Sequence, residues 1–382
     1  MKLPKVLCGL VCLLLLASNV RSMSHWNEAR GVYDDVCYLR QAHLFQRFGL
    51  GGFDTDISRD DDHYLASKLK EVDFPTWNDV TTVPCHTPMP ATGKLVLQYP
   101  PGTGMVLALF PQGYQVIPLY VTATSIVFGF ALLGIISART VSSVLLGGAF
   151  GCLAVYLMIN PAKASYSMAP TMVACAAAGY LTARLFTAAP RHRLWLTILL
   201  GLLLGVSVDF RLPNLFLSSG YFLFFLFSFL SSRKMQVFLH GAAFAVAFMI
   251  GMAPTLLANA INAGSPFATT YGGQDVVPPD FSFSIIWQYV ADMQFVLLVL
   301  AAASTALILR SRGDNDVRQV ALVTAANLAV NLAFFLSHPV FTPYYTIPIA
   351  MLSMWSLLFG SLIEPAEAVD GKLAGQAANA RS

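Results

Sequence analysis

Two adjacent carboxylates, Asp34 and Asp35, open a run from Gly31 to Leu50 whose apolar residues recur at helical spacing. A carboxylate in such a place can take a proton from a hydroxyl as a general base. It can equally cap the helix, because Asp accepts hydrogen bonds from the free N–H groups of a first turn. Both roles stand open for Asp34. Asp35 can orient an acceptor, hold a divalent cation together with Asp34, or complement the positive end of the helix dipole. A hard cation takes about six oxygens, so two acids do not require a metal; a divalent cation is possible and none is obligatory.

Other residues of the right chemistry lie further along. Tyr38 and Arg40 follow the acids in the same run, and Tyr99-Pro100-Pro101-Gly102 closes the polar segment as an aromatic leading into a turn. Arg211 offers a planar fork suited to phosphate oxygens; pairing with Asp209, or reaching along a helix end to water, is its structural alternative. Arg40 and Arg47, seven positions apart and so on a similar helix face, are alternative phosphate or head-group contacts. Tyr271 and Asp275 fall in a polar loop from Asn262 to Phe283, and His338, Tyr344 and Tyr345 precede the last apolar stretch. Hydroxyls, amides and aromatic rings of this kind line sugar sites, while aromatics at these places also serve as anchors at a membrane interface.

The elements that must position these groups follow from composition. The chain has 382 residues, of which 56% are hydrophobic and 11% charged, whereas soluble domains carry roughly a quarter charged residues. The fold class is therefore an all-α polytopic membrane protein. A formal net charge of +3, dispersed along the chain, gives no basic stripe for nucleic acid, and there is no Gly-rich nucleotide loop of the Walker type.

Met1 to Ser22, with Lys2 and Lys5 before a leucine-rich core, reads as a first transmembrane helix or a cleaved signal. Either reading sends residues 23–115 to the external face. In that segment Asp34 to Phe48 is expected as an amphipathic helix on the membrane surface. An acid-rich loop with Asp54, Asp56 and Asp60 to Asp62, broken by prolines, follows it, and Thr103 to Phe110 reads as a short helix. Cys37 and Cys85 share the oxidising side, where a disulfide and two free thiols are both compatible with the sequence.

Residues 116–363 form the helix bundle. Its apolar stretches run Val116 to Ser137, Val141 to Ile159, Ala169 to Ala188, Leu194 to Val208, Leu212 to Leu230, Gln236 to Ile261, Ile285 to Leu309, Val320 to Ser337 and Thr342 to Leu362. With the first segment these make about ten spans, at about 20 residues per crossing. Positive residues then alternate as the positive-inside rule asks. Arg139; Arg184, Arg191 and Arg193; Arg233 and Lys234; and Arg310, Arg312 and Arg318 fall on one side, with only Lys163 and Arg211 opposite, beyond the first loop. Both termini are expected in the cytoplasm, residues 364–382 as a polar tail. Every candidate group above then falls on the external face.

The run Tyr33-Asp34-Asp35 with Tyr38, Ala42 and Phe48-Gly49 resembles the first external loop of glycosyltransferases of the GT-C fold that use polyprenyl-phosphate sugars, such as protein mannosyltransferases and aminoarabinose transferases. Asp35 stands where that family usually has Glu. Tyr99-Pro100-Pro101-Gly102 looks like the family's aromatic-or-His, Pro, Pro turn, Gly205 to Leu215 like its Arg-bearing external helix end, and Tyr344-Tyr345 to Pro348 like its late Tyr-rich approach to a span. The resemblance implies an inverting glycosyltransferase in the inner (plasma) membrane. Asp34 would be the base, Arg211 the contact to the leaving phosphate, and a lipid, glycan or protein the acceptor, among membrane lipids. Two other classes compete with it: a secondary transporter, for which His240, Asp292, Asn327 and Asn331 inside spans are the relevant residues, and a noncatalytic membrane subunit.

Overall fold

The computed structural model describes residues 1–30, 33–79, 82–159, 165–272, 278–311, 315–338 and 340–363. Asp275, Lys163, Arg312 and the tail at 364–382 lie outside the described residues.

Helix α1 (Lys2–Met23) is apolar around its circumference and buries Cys12, Asn19 and Met23. Its one buried amide, Asn19, donates to the carbonyl of Val155 at 2.7 Å, which satisfies a polar group that would otherwise face lipid.

Helix α2 (Tyr33–Phe48) begins where the acids begin, as the periodicity predicts. The expectation of a surface helix does not hold, because α2 is packed inside the polar segment that follows α1, with Asp35, Tyr38, Arg40 and Gln41 all buried. Arg40 and Gln41, which the amphipathic pattern assigns to water, instead bond to backbone carbonyls, while Gln46 and Arg47 are exposed as expected. Arg40 donates to the carbonyls of Thr55 at 2.9 Å and Asp56 at 2.8 Å. A buried charge tolerates its position only when so satisfied.

Helix α3 (Tyr64–Glu71) follows, and then a two-stranded antiparallel hairpin, β1 (His86–Met89) and β2 (Lys94–Leu97), pairs His86 with Leu97 and Met89 with Lys94. The proline-rich reading of this region missed that hairpin. Cys37 of α2 is disulfide-bonded to Cys85, the residue before β1, with Cα atoms 6.6 Å apart. The bond ties the helix that carries Asp34 to the strands that lead into Tyr99.

Helix α4 (Gly102–Leu107) starts immediately after the Pro-Pro turn. Glycine is required at Gly104, since a Cβ there would lie 2.6 Å from the Gln41 side chain. A Cβ on Gly102 would meet the backbone of Asp209 at 2.8 Å. The turn is thus wedged between α2 and a later helix end, which fixes Tyr99 just ahead of it.

The bundle consists of α5 (Val116–Ser137), α6 (Val141–Leu157), α7 (Met168–Thr187), α8 (Pro190–Phe210), α9 (Ser219–Ser232), α10 (Met235–Gly251), α11 (Ala253–Ala263), α12 (Phe283–Ala291), α13 (Phe295–Arg310), α14 (Asn315–Ser337) and α15 (Ile347–Leu362). Each apolar stretch of the sequence is helical. Among the described residues, five segments are long and apolar enough to cross a bilayer, up to seven if each of two bent pairs is one span, fewer than the ten read from apolar stretches. The protein is a multi-pass membrane protein.

The two bent pairs correct the reading of unbroken helices. Gln236 to Ile261 breaks between α10 and α11 with a 52° bend, and Ile285 to Leu309 breaks between α12 and α13 with an 88° bend. Pro254 sits at the start of α11, where it cannot continue the ladder of α10. Asp292 ends α12, its Oδ1 accepting from the N–H of Gln294 at 2.8 Å. Asn331 donates to the carbonyls of Phe216 at 2.9 Å and Asn327 at 2.8 Å, and His240 engages the carbonyl of Gln236 one turn back at 2.8 Å. Asn331, with Asn327 accepting from Gly220 N–H, thus serves the packing of helices on one another, whereas His240 and Asp292 bond locally.

Candidate functional site

A cavity of about 310 Å3 lies at the start of α2. Asp34 and Tyr38 reach it from α2, Tyr99 from the approach to the Pro-Pro turn, Arg211 from the end of α8, Tyr271 from the loop after α11, and Tyr344 and Tyr345 from the turn before α15. Five separated parts of the chain thus bring seven of the sequence-selected residues together. Its lining is mostly polar, completed by Gln98, Ser165, Ser167, Pro213, Val340 and Thr342.

Arg211 is nearly buried, at 6% exposure. Its guanidinium lies 4.9 Å from the Tyr344 ring centre and 5.0 Å from that of Tyr345, and it donates to the Met168 sulfur at 2.7 Å. Cation–π contact of this kind holds an arginine without neutralising it. The alternative pairing with Asp209 is not realised: Asp209 accepts from the backbone N–H and hydroxyl of Thr255, at 3.0 and 2.6 Å. No carboxylate among the described residues lies within 4.0 Å of Arg211.

The tyrosines form a connected wall. Tyr38 and Tyr99 stack with centres 4.9 Å apart and planes at 20°, and Tyr271 meets Tyr99 edge-on at 6.0 Å. Burial pushes the Tyr38 hydroxyl well above the usual phenol range, opposed by its hydrogen bond to Ser167 and by the charge of Arg211. Burial and then the negative charge of Asp34 raise Tyr99 likewise, and burial raises Tyr344 against the pull of Arg211. All three are therefore neutral hydroxyls at physiological pH, able to donate. Their common sensitivity to Asp34 or Arg211 shows how the two charges flank the same space.

Other selected residues sit elsewhere. Asp35 does not line the cavity; it is 1% exposed and accepts from the backbone N–H of Tyr166 at 2.8 Å, so its place is to anchor the chain ahead of α7. Arg40 is a structural clamp, as described above. Pro100 lines a neighbouring cavity, and Pro101 is the residue before α4. His338 lies under the Phe334 ring, 5.9 Å between centres, and accepts from Val340 N–H at 3.3 Å, outside the cavity lining. Arg47 pairs with Asp61 at the rim, away from any phosphate position of this cavity.

Of the adjacent acids Asp34 and Asp35, only Asp34 lines the cavity. The one Cys/His/acid grouping among the described residues with ligand spacing is Cys37, Cys85 and His86. Both sulfurs are committed to the disulfide, and His86 Nε2 lies 3.1 Å from the Arg40 guanidinium. Burial, with that positive neighbour, depresses the His86 pKa to about 3.

Sequence reasoning missed Gln98, Ser165, Ser167 and Thr342. The signal was faint but present, since Ser165-Tyr166-Ser167 is a polar turn at the same membrane face as Arg211. Comparison with models of known protein families, with curated proteins and with solved structures found no match.

Proposed function

We propose that the protein is a membrane glycosyltransferase of the GT-C type, moving a sugar from a polyprenyl-phosphate donor to an acceptor hydroxyl with inversion at the anomeric carbon. One observation carries this reading: Asp34, Arg211 and five tyrosines from distant parts of the chain surround one polar cavity. Stray polar residues in an apolar protein have no reason to converge this way, whereas a convergent polar site in a cavity is the usual form of a binding centre.

The reaction follows from the placement of charge. The acceptor oxygen attacks the anomeric carbon while the Asp34 carboxylate takes the hydroxyl proton. The bond from that carbon to the phosphate oxygen breaks, its electron pair stays with the phosphate, and polyprenyl phosphate leaves. Arg211 stabilises the charge that develops there, a contribution that grows toward the transition state. Neutral tyrosine hydroxyls donate to the sugar and their rings bound it. A base so placed contributes on the order of 10²- to 10⁴-fold.

In this reading the shorter and bent helices also cross, making about ten spans, with both termini cytoplasmic in the inner membrane and the cavity outside. The basic turns at Arg139, Arg184, Arg233 and Arg310 support that sidedness. The acceptor is a lipid, a glycan or a protein. No divalent cation enters the step.

The bends of 52° and 88° favour a second reading, a secondary transporter, because broken helices are a common feature of transporter sites. One experiment separates the two. Purified protein is incubated with labelled polyprenyl-phosphate sugars and assayed for released lipid phosphate, and in parallel sealed vesicles are assayed for uptake of free sugars. Release without uptake supports the transferase; uptake without release replaces it with the transporter.

A further inference from the structure

A second cavity, of about 160 Å3, adjoins the first and shares Gln98, Tyr99 and Tyr271 with it. The edge-on pair of Tyr99 and Tyr271 is the partition between the two. Among the described residues, no Asp, Glu, Lys, Arg or His lines the second cavity, whereas the first holds both Asp34 and Arg211. Its walls alternate amide and hydroxyl groups, such as Asn259 and Thr269, with apolar faces, such as Leu97 and Phe267.

Several of its polar groups are already engaged in holding the fold. Asn262 bonds the carbonyls of Phe53 and Ala258, both at 2.8 Å, and Thr270 donates to the Gln98 carbonyl at 2.9 Å. Gln41 is different. It lines the cavity at 1% exposure, its Nε2 donates to the Tyr99 carbonyl at 3.4 Å, and its Oε1 accepts no hydrogen bond among the described residues. That oxygen is fully buried against Gly104, where a Cβ would lie 2.6 Å from it.

We infer that this second cavity binds the acceptor, and that the acceptor group is an uncharged, hydroxyl-bearing ring, a neutral glycosyl unit. Charge divides the substrates. The donor's phosphate goes to the cavity with Arg211, and the group entering the other cavity carries no charge, since an ion there would be desolvated without a partner. Its hydroxyls would meet amide and hydroxyl groups such as those of Asn259 and Thr269 while its apolar face lies on the Tyr99 side. The designation as acceptor site rests on the transferase reading; the binding of a neutral glycosyl unit does not.

The test is therefore made on binding. Protein in lipid nanodiscs is titrated with methyl glycosides of glucose, galactose, mannose and N-acetylglucosamine, and with glucuronate and glucose 6-phosphate as charged counterparts, by saturation-transfer NMR. At least one neutral glycoside is expected to bind. Its affinity should fall about tenfold or more in Ala268→Trp, which fills the cavity, and in Asn259→Leu, and should be unchanged in Asp61→Asn at the rim, which lines neither cavity. Two variants on different segments guard against misfolding of either one. Absence of neutral glycoside binding overturns the inference, and so does binding that both cavity variants leave unchanged or that only a Ser/Thr peptide displays. A protein that binds as expected yet releases no lipid phosphate from any donor refutes the transferase reading and leaves the neutral-glycosyl site standing.

Discussion

Two regions at opposite ends of α2 carry charge, and they use it in opposite ways. At the C-terminal end, the acid-rich rim pairs with neighbouring bases: Asp54 meets Lys94 at 3.0 Å, Asp62 meets His43 at 2.7 Å, and Asp61 meets Arg47. The Arg47 hydrogen bond holds the Asp61 carboxyl below the usual range. At the N-terminal end, Asp34 and Arg211 line a cavity, and Arg211 is clasped by rings and a thioether rather than by an acid. Charges that pair with one another cancel at a distance, and in water such pairs contribute little. A charge held by neutral groups keeps its field for a ligand. Density of acids is thus a poor guide to a site, and their partners are the better one.

Substitutions sharpen that contrast. The largest expected effect is that of Asp34→Asn, which should reduce sugar transfer by about 10³-fold or more, the scale of a lost general base, with unchanged elution in size-exclusion chromatography. Removing the strap between α2 and the hairpin, with Cys37→Ser and Cys85→Ser together, should lower stability by about 2–4 kcal/mol, read as a shift of the thermal unfolding midpoint. Arg211→Ala should lower kcat/KM for the donor roughly 10- to 100-fold, the range for a hydrogen bond to a charged group, in steady-state kinetics.

The His86 imidazole gives a smaller, pH-dependent effect. Its pKa is 6.5 when free and about 3 in place, so between those values the unfolded chain binds more protons than the folded one. Stability should therefore fall as pH drops through that window, by at most about 1.4 kcal/mol per unit. His86→Gln should flatten that slope in melting curves taken across it. At the rim, Asp61→Asn is expected to leave both transfer and melting unaltered; a loss of transfer comparable to that of Asp34→Asn would erase the distinction between the regions.

The legible part of the fold was the part governed by hydrophobic length and period. Val116–Ser137 is helical over the predicted bounds, and α2 starts at the predicted acids. The convergence of Tyr38, Tyr99, Arg211 and Tyr344 was legible only as a shared membrane face, which charge alternation supplies without saying which side chains meet. Local pattern did not separate Asp34 from Asp35. Successive residues on a helix point about 100° apart, so neighbours of one type face different surroundings, here a cavity and the N–H of Tyr166. Arg40 was misread because an amphipathic pattern assigns charge to water, and the carbonyls that bury it, of Thr55 and Asp56, come from a loop beyond α2. The break at α10 and α11 had a signal in Pro254 that the length of the apolar run obscured.

The most direct measurement is where a donor binds. A polyprenyl-phosphate sugar bearing a photoreactive diazirine on its sugar, irradiated with the protein in nanodiscs and mapped by mass spectrometry, should label peptides containing Tyr38, Tyr99 and Tyr344, with labelling reduced by unmodified donor and by Arg211→Ala. Labelling confined to lipid-facing helices such as α9, and indifferent to Arg211, would contradict the account.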